Sequence, residues 1–167
     1  MDAVRNHRVV VTRRGAPEVL EVVAEDLPEP GSGEIRVKTL TAGVSSYDVM
    51  LRGHWFPGLK PPYTPGEDVV GVVDKLGPGV SGLEVGQYVA DMPVIGGYTE
   101  YLCVAADRVV PAPEGLDPAQ AVAMILSYTT AYQMLTRIRE LPAGSTCLVH
   151  AAAGAVGTAL LDLGRCI

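Results

Sequence analysis

The feature that most constrains the fold is a run of small residues late in the chain. Residues 147–149 are apolar, and residues 155–161 have the composition of a helix start. Between them lies an A-x-G-x-x-G pattern, formed by Ala152, Gly154 and Gly157. A strand, a tight turn and a helix N-terminus point backbone N–H groups and the helix dipole at an anion such as a phosphate. The pattern alone is weak, because Ala152 stands where the usual first glycine would be, and taken by itself it favours a packing role for the small residues over a phosphate role.

Composition restricts the partners of the chain. The net charge is −6 and the basic residues form no cluster, which argues against nucleic acid and anionic membranes as partners. The N-terminal residues do not resemble a signal peptide, and no apolar run reaches the ~18 residues of a transmembrane helix. Cys103, Cys147 and Cys166 are scattered and odd in number, which is typical of reduced thiols. We therefore predict a cytoplasmic protein.

Residues 1–115 have the pattern of a β domain. Short apolar or alternating runs are separated by turns, and the chain contains 19 glycines and 13 prolines, which favours a barrel-like architecture. Ser45 or Ser46 is expected to cap a short helix over residues 47–52. Strands are expected over residues 8–12, 19–23, 34–40, 68–74, 87–90, 98–105 and 108–110.

The second predicted domain, residues 116–167, begins with helical sequence. Asp117 is placed to cap the helix and Pro118 to occupy its first position. Residues 127–130 have low helix propensity and are expected to split the run into two helices. A strand over residues 146–149 then leads into the glycine turn, as in an α/β domain.

Three further motifs lie in the predicted β domain. Residues 15–20 read GAPEVL, residues 42–53 read AGVSSYDVMLRG and residues 65–73 read PGEDVVGVV. With the glycine turn, their order over residues 8–165 resembles the zinc-free quinone oxidoreductase branch of the medium-chain dehydrogenase/reductase superfamily. The resemblance implies a mostly β fold: a GroES-like domain, then the first helices, strand and helix of an incomplete Rossmann domain. It also implies a chain truncated after the start of the cofactor domain.

The zinc-dependent members of this superfamily place a cysteine ligand in one motif and a histidine ligand in another. The matching positions here hold Val44 and Glu67, and the sequence contains no C-x-x-C. Tetrahedral zinc requires thiolate or imidazole donors that converge on one point. The resemblance therefore implies a site without a metal.

The chemistry that the resemblance implies is hydride transfer from NADPH, with NAD as the alternative, to a quinone or an activated double bond. Tyr47 is expected to donate its hydroxyl to the substrate, and the alternative is that it anchors its helix to the sheet. Ser45 is the second catalytic candidate, at a position that the family often fills with asparagine. The implied assembly is a homo-oligomer, namely a dimer, and the implied partner is a small quinone or enone.

The cofactor residues follow from the same resemblance. Thr130 matches a family segment that meets the nicotinamide end of the cofactor, and an ordinary helix hydroxyl is the alternative. The diphosphate is expected at Ala152, Ala153, Gly154, Val156 and Gly157.

An aromatic segment, Trp55, Phe56 and Pro57 together with Tyr63, either lines an apolar substrate pocket or covers the edge of the core. Two other functions stay open. One is a catalytically silent β domain that acts as a folding or interaction module. The other is an enoyl reductase module of a polyketide-type enzyme.

Overall fold

The structure, a computed structural model, describes residues 4–54, 56, 58–138, 141–142 and 144–166. The chain divides into two compact units, Met1–Val122 and Ala123–Ile167. The domain boundary expected between residues 115 and 116 stays a prediction.

The first unit begins with a two-stranded antiparallel sheet. Strand β1 (Arg5–Val11) pairs with β2 (Leu20–Asp26), and a short 3-10 helix, Pro17–Val19, precedes β2. Val11 and Val19 are fully buried and pack with Tyr63. This small core fixes the start of the chain against the segment that leads into the next sheet.

The first unit also contains a five-stranded antiparallel sheet. Its strands are β3 (Glu34–Ala42), β4 (Val69–Leu76), β5 (Tyr88–Asp91), β6 (Tyr101–Ala105) and β7 (Val110–Pro111). Their order in space is β6-β3-β4-β5-β7. Buried residues of β3, β4, β5 and β6, among them Ile35 and Val73, form most of the main core. The predicted mostly β architecture of the first unit is confirmed.

One glycine sets how closely the two central strands approach. A Cβ on Gly71 of β4 would collide with the carbonyl oxygen of Lys38 in β3. Helix α1 (Ser46–Gly53) lies between β3 and β4 in the chain, at the predicted position. The chain thus leaves the sheet at the end of β3 and returns to it at Val69.

Helix α2 (Pro118–Gln133) begins as predicted and then differs from the prediction. The N–H group of Ala119 donates to Oδ1 of Asp117 at 2.8 Å, which is the expected cap. The helix runs unbroken through residues 127–130 into a π-helix, Met134–Ile138, so the expected split is wrong. One reason is local, because the hydroxyl of Thr130 donates to the carbonyl oxygen of Leu126 at 2.7 Å and is satisfied inside the helix.

The strand expected over residues 146–149 is not formed. These residues have no regular structure, Leu148 is 82% exposed, and Cys147 is also exposed. A parallel strand needs a neighbouring strand to receive its hydrogen bonds, and the part of the second unit that the structure describes contains none. Helix α3 (Ala155–Leu163) nevertheless begins at the predicted residue. None of the described helices is long and apolar enough to span a membrane.

Candidate functional site

The start of α1 is built on the side chain of Ser45. Its Oγ accepts hydrogen bonds from the N–H groups of Tyr47 at 3.1 Å and Asp48 at 3.3 Å. In return, Oδ2 of Asp48 accepts from the N–H group of Ser45 at 2.8 Å. This reciprocal arrangement is a capping box, which satisfies helix N–H groups that lack partners within the helix.

The Ser45 hydroxyl also faces two carboxyl groups. Its Oγ lies 3.1 Å from Oδ2 of Asp48 and 3.0 Å from Oε2 of Glu67. A hydroxyl has one proton and two acceptor lone pairs, and here two amides and two carboxyl groups already surround it. A contact between Ser45 and a substrate would replace one of these bonds. The predicted catalytic role of Ser45 stays a prediction.

Three acidic side chains are buried beside this cap. Asp48, Glu67 and Asp68 are 7%, 9% and 6% exposed, and Oδ1 of Asp48 accepts from the N–H group of Gly66 at 3.1 Å. Burial raises the pKa of Glu67; the hydrogen bond from Ser45 lowers it, and the charges of Asp48 and Asp68 raise it further. Sequence reasoning considered Glu67 only as a position matching a zinc ligand and missed this cluster. The adjacent acids in the PGEDVVGVV motif were the available signal.

The ring of Tyr98 packs against Gly66, next to these acidic residues. A Cβ on Gly66, whose φ is +102°, would lie 2.5 Å from the Tyr98 ring, so a glycine is required under the ring. Burial raises the pKa of Tyr98, and the charge of Asp48 raises it further. Tyr98 is therefore a neutral hydroxyl at physiological pH.

Tyr47, the predicted substrate contact, lies half-buried two residues after the cap. Its ring meets the ring of Phe56 edge to face, with centroids 5.8 Å apart and an interplanar angle of 85°. Phe56 is 39% exposed, whereas Tyr63 is buried in the small core beside β1. Trp55 and Pro57 lie outside the described residues. Of the predicted aromatic segment, Tyr63 thus belongs to the core and Phe56 borders Tyr47.

The glycine turn of the second unit ends at the N-cap of α3, Gly154. The N–H group of Gly154 donates to the carbonyl oxygen of Ala151 at 2.9 Å, and the first bond of the helix runs from Thr158 to Gly154 at 2.8 Å. The N–H groups of residues 155–157 therefore precede the first helical bond and point out of the helix end. These amides form an arrangement that suits a phosphate.

Gly157 allows the turn to fold back on the helix. A Cβ at this position would collide with the carbonyl oxygen of Ala151 and lie 2.7 Å from Cα of Ala152. Gly157 thus packs against the turn. Ala152, Ala153, Val156 and Thr130 all lie in this unit, and their predicted contacts with a cofactor stay predictions.

Metal ligands are not grouped in the described part of the chain. There, no cluster of three or more His, Cys, Asp or Glu side chains could hold a metal ion. Val44, which matches a zinc-ligand position, is 80% exposed and carries no donor atom in its side chain.

Comparison with known proteins defines the class to which this fold belongs. The family described as Alcohol dehydrogenase GroES-like domain matches residues 31–114. The chain belongs to this family and resembles the quinone oxidoreductases of the medium-chain dehydrogenase/reductase superfamily, as the motifs predicted.

Individual relatives support this placement. The quinone oxidoreductase of Rattus norvegicus is 36% identical over 156 residues, which cover 90% of this chain and 47% of the relative. The crystal structure of human synaptic vesicle membrane protein VAT-1 homolog-like protein matches with a TM-score of 0.93 at 30% identity, covering 98% of this chain and 53% of that one. Escherichia coli quinone oxidoreductase complexed with NADPH matches with a TM-score of 0.89 at 28% identity, covering 96% and 49%. The chain spans about half the length of these relatives.

Proposed function

We propose that this chain functions as an NADPH-dependent, zinc-independent reductase that transfers a hydride to a quinone or an activated double bond. The observation that carries the proposal is the GroES-like fold shared with quinone oxidoreductases, in a chain that also holds a glycine turn at the start of α3. The proposed division of labour is a substrate domain over residues 1–115 and the start of a cofactor domain over residues 116–167. The proposed form is a homodimer in the cytoplasm.

The residues at the zinc-ligand positions support the zinc-independent part of the proposal. The Val44 side chain has no lone pair to offer a metal, and the Glu67 carboxyl is bonded to the Ser45 hydroxyl at 3.0 Å. In the proposed site, a hydroxyl group and not a metal ion polarises the acceptor. Tyr47 is the proposed donor, because its ring is fixed by Phe56 and it follows directly from the capped start of α1.

The turn before α3 suits a dinucleotide diphosphate. The N–H groups of Ala155, Val156 and Gly157 would hold the anion, with Ala152 and Ala153 lining the turn. Gly154 would contribute through its missing side chain, because its own N–H group is bonded to Ala151. Thr130 is the proposed contact at the nicotinamide end. A bound NADPH would supply the hydride.

The cofactor part is tested by placing a negative charge in the first turn of α3. A negative charge in this turn interacts favourably with the helix dipole, so Ala155→Asp is expected to leave α3 folded. The same charge should repel a diphosphate. We expect calorimetry to show micromolar binding of NADPH to the 167-residue chain, at least tenfold weaker binding to Ala155→Asp, and near-normal binding to the neutral control Ala155→Asn. Equal binding by all three proteins would contradict the proposed site.

The acceptor part is tested by turnover. The chain together with the remaining half found in its relatives should oxidise NADPH with a small 1,4-quinone or an α,β-unsaturated ketone. A 167-residue chain that unfolds cooperatively and binds no NADPH would favour the silent interaction module instead. Reduction of the enone alone would favour the enoyl reductase.

A further inference from the structure

The guanidinium of Arg14 bonds to backbone carbonyl groups at both ends of residues 54–59, the segment that follows α1. Nη2 of Arg14 donates to the carbonyl oxygen of Leu59 at 2.9 Å, and Nη1 donates to the carbonyl oxygen of His54. Arg14 is itself held at the end of the helix, because Gly15 and Arg52 exchange two hydrogen bonds. The N–H group of Gly15 donates to the Arg52 carbonyl at 3.2 Å, and Nε of Arg52 donates to the Gly15 carbonyl at 3.3 Å.

Between the two tied ends the segment carries Phe56. The N–H group of Leu59 donates to the carbonyl oxygen of Phe56 at 3.2 Å, across a turn that requires Gly58 at φ +84°. The Phe56 ring packs edge to face on the Tyr47 ring, an arrangement that aromatic pairs favour. Phe56 is 39% exposed, so burial constrains its ring only in part. Arg14 bonds to the carbonyl oxygens of the described residues on either side of it, His54 and Leu59.

We propose that Arg14 is the positioning residue for acceptor binding, since it fixes Phe56 against Tyr47 as an aromatic wall for a flat quinone. This inference rests on the proposed function, in which Tyr47 contacts the acceptor. Quinone rings are flat and, apart from their carbonyl oxygens, apolar, so they bind well to preformed aromatic surfaces. A wall held in place before binding also avoids the entropy cost of ordering the segment when the acceptor arrives.

The role requires the shape of arginine as well as its charge. A guanidinium presents several N–H donors in a rigid fork and can bond to two carbonyl oxygens at once, whereas the ammonium of lysine is a single point on a flexible stem. Arg14→Lys therefore keeps the charge and loses the double contact. Arg13 is the matched control, because it is the exposed neighbour with the same charge.

The first measurement is nuclear magnetic resonance on the full 167-residue chain. The chain contains one phenylalanine, so ring-labelled phenylalanine gives one set of ring signals, from Phe56. The wild-type chain and Arg13→Met should show nuclear Overhauser contacts between the Phe56 and Tyr47 rings. Arg14→Lys and Arg14→Met should lose them, with Phe56 shifts close to those of a free peptide and β4 amide shifts unchanged. Retention of the ring contacts in both Arg14 variants would overturn the proposal.

The second measurement is titration with 2-methyl-1,4-naphthoquinone. We expect the quinone to shift the Phe56 signals of the wild-type chain and of Arg13→Met, and to bind Arg14→Lys at least tenfold more weakly. Unchanged affinity in an Arg14 variant that has lost the ring contacts would overturn the role in acceptor binding. A wild-type chain with the ring contacts and no response to quinone would overturn that role and the quinone assignment together, while the holding of Phe56 by Arg14 would stand.

Discussion

The hydroxyl oxygen of Ser45 lies 3.0 Å from Oε2 of Glu67. Glu67 occupies the position at which the zinc-dependent relatives are expected to hold a metal ligand. Instead of facing a ligand site, the Glu67 carboxyl turns toward the cap of α1. That cap sets the direction of the helix carrying Tyr47. The acidic residue at the position that matches a zinc ligand thus supports the geometry of the proposed acceptor contact.

Replacing Ser45 with alanine should destabilise the first unit by about 2 kcal/mol. Loss of an N-cap hydroxyl costs about 1 kcal/mol, and Asp48 and Glu67 would also lose a buried donor. Urea unfolding followed by circular dichroism measures the change. Ser46→Ala is the control, because Ser46 is exposed, and it should change stability by less than about 0.5 kcal/mol. Equal losses of stability in the two variants would show that the Ser45 cap does not stabilise the first unit.

As the pH rises, the free energy of unfolding of Glu67→Gln should increasingly exceed that of the wild-type protein. The pKa of Glu67 is raised from 4.5 in the folded chain, so the folded state keeps a proton that the unfolded state releases. The stabilisation from this group is complete below about pH 4.5 and is lost as the pH rises through the folded pKa. The neutral amide avoids that loss, so the two unfolding free energies should diverge above pH 4.5.

This pH comparison is a difference between two proteins that share all other groups. Hydrogen bonds with Lys75 and His7 lower the pKa values of Glu29 and Glu100, which gives these two groups the opposite pH dependence in both proteins. Burial raises the pKa of Asp91 in both proteins as well. These contributions cancel in the difference, so parallel stability curves would contradict the role assigned to Glu67.

Local patterns predicted most of the first unit. The polar and apolar alternation of residues 34–40 predicts a half-buried strand, and β3 occupies that position. The cap at Ser45 and the start at Pro118 also depend on neighbouring residues alone, and both are confirmed. Such features need no knowledge of distant contacts.

Features that depend on distant contacts were not predicted. The bond between Ser45 and Glu67 joins residues 22 positions apart, so no local pattern indicates it. The predicted strand over residues 146–149 failed for the same reason, because strand formation depends on a neighbouring strand and not on apolar composition alone. The continuity of α2 through Thr130 shows that a hydroxyl can be satisfied inside a helix whose propensity is low.

Thr130→Val should separate the two roles that the sequence left open for this residue. The substitution removes the hydroxyl that donates to Leu126 and keeps the β-branched shape, so the helix should lose less than about 0.5 kcal/mol. If Thr130 contacts the cofactor as proposed, NADPH binding measured by calorimetry should weaken about tenfold. The neighbouring Thr129→Val should leave the affinity unchanged. Wild-type affinity in Thr130→Val would assign the hydroxyl to the helix alone.

Gly157→Ala should destabilise the second unit, although helix propensity predicts the opposite. Alanine is favoured over glycine inside a helix by about 1 kcal/mol. A Cβ on Gly157, however, would collide with backbone atoms of Ala151 and Ala152, and backbone can move only if the whole turn opens. Forced overpacking of this kind costs about 1–3 kcal/mol. Hydrogen exchange of the α3 amides measures the change, and faster exchange is expected.

The control for this substitution lies three residues earlier in the same turn. A Cβ on Gly154 would lie 3.3 Å from the Ala151 carbonyl oxygen, and its φ of −81° is one that alanine adopts freely. Gly154→Ala should therefore change the exchange of the α3 amides much less than Gly157→Ala does. Slower exchange in Gly157→Ala would mean that propensity outweighs the collision. The tight fold-back of the turn, on which the proposed diphosphate site depends, would then be wrong.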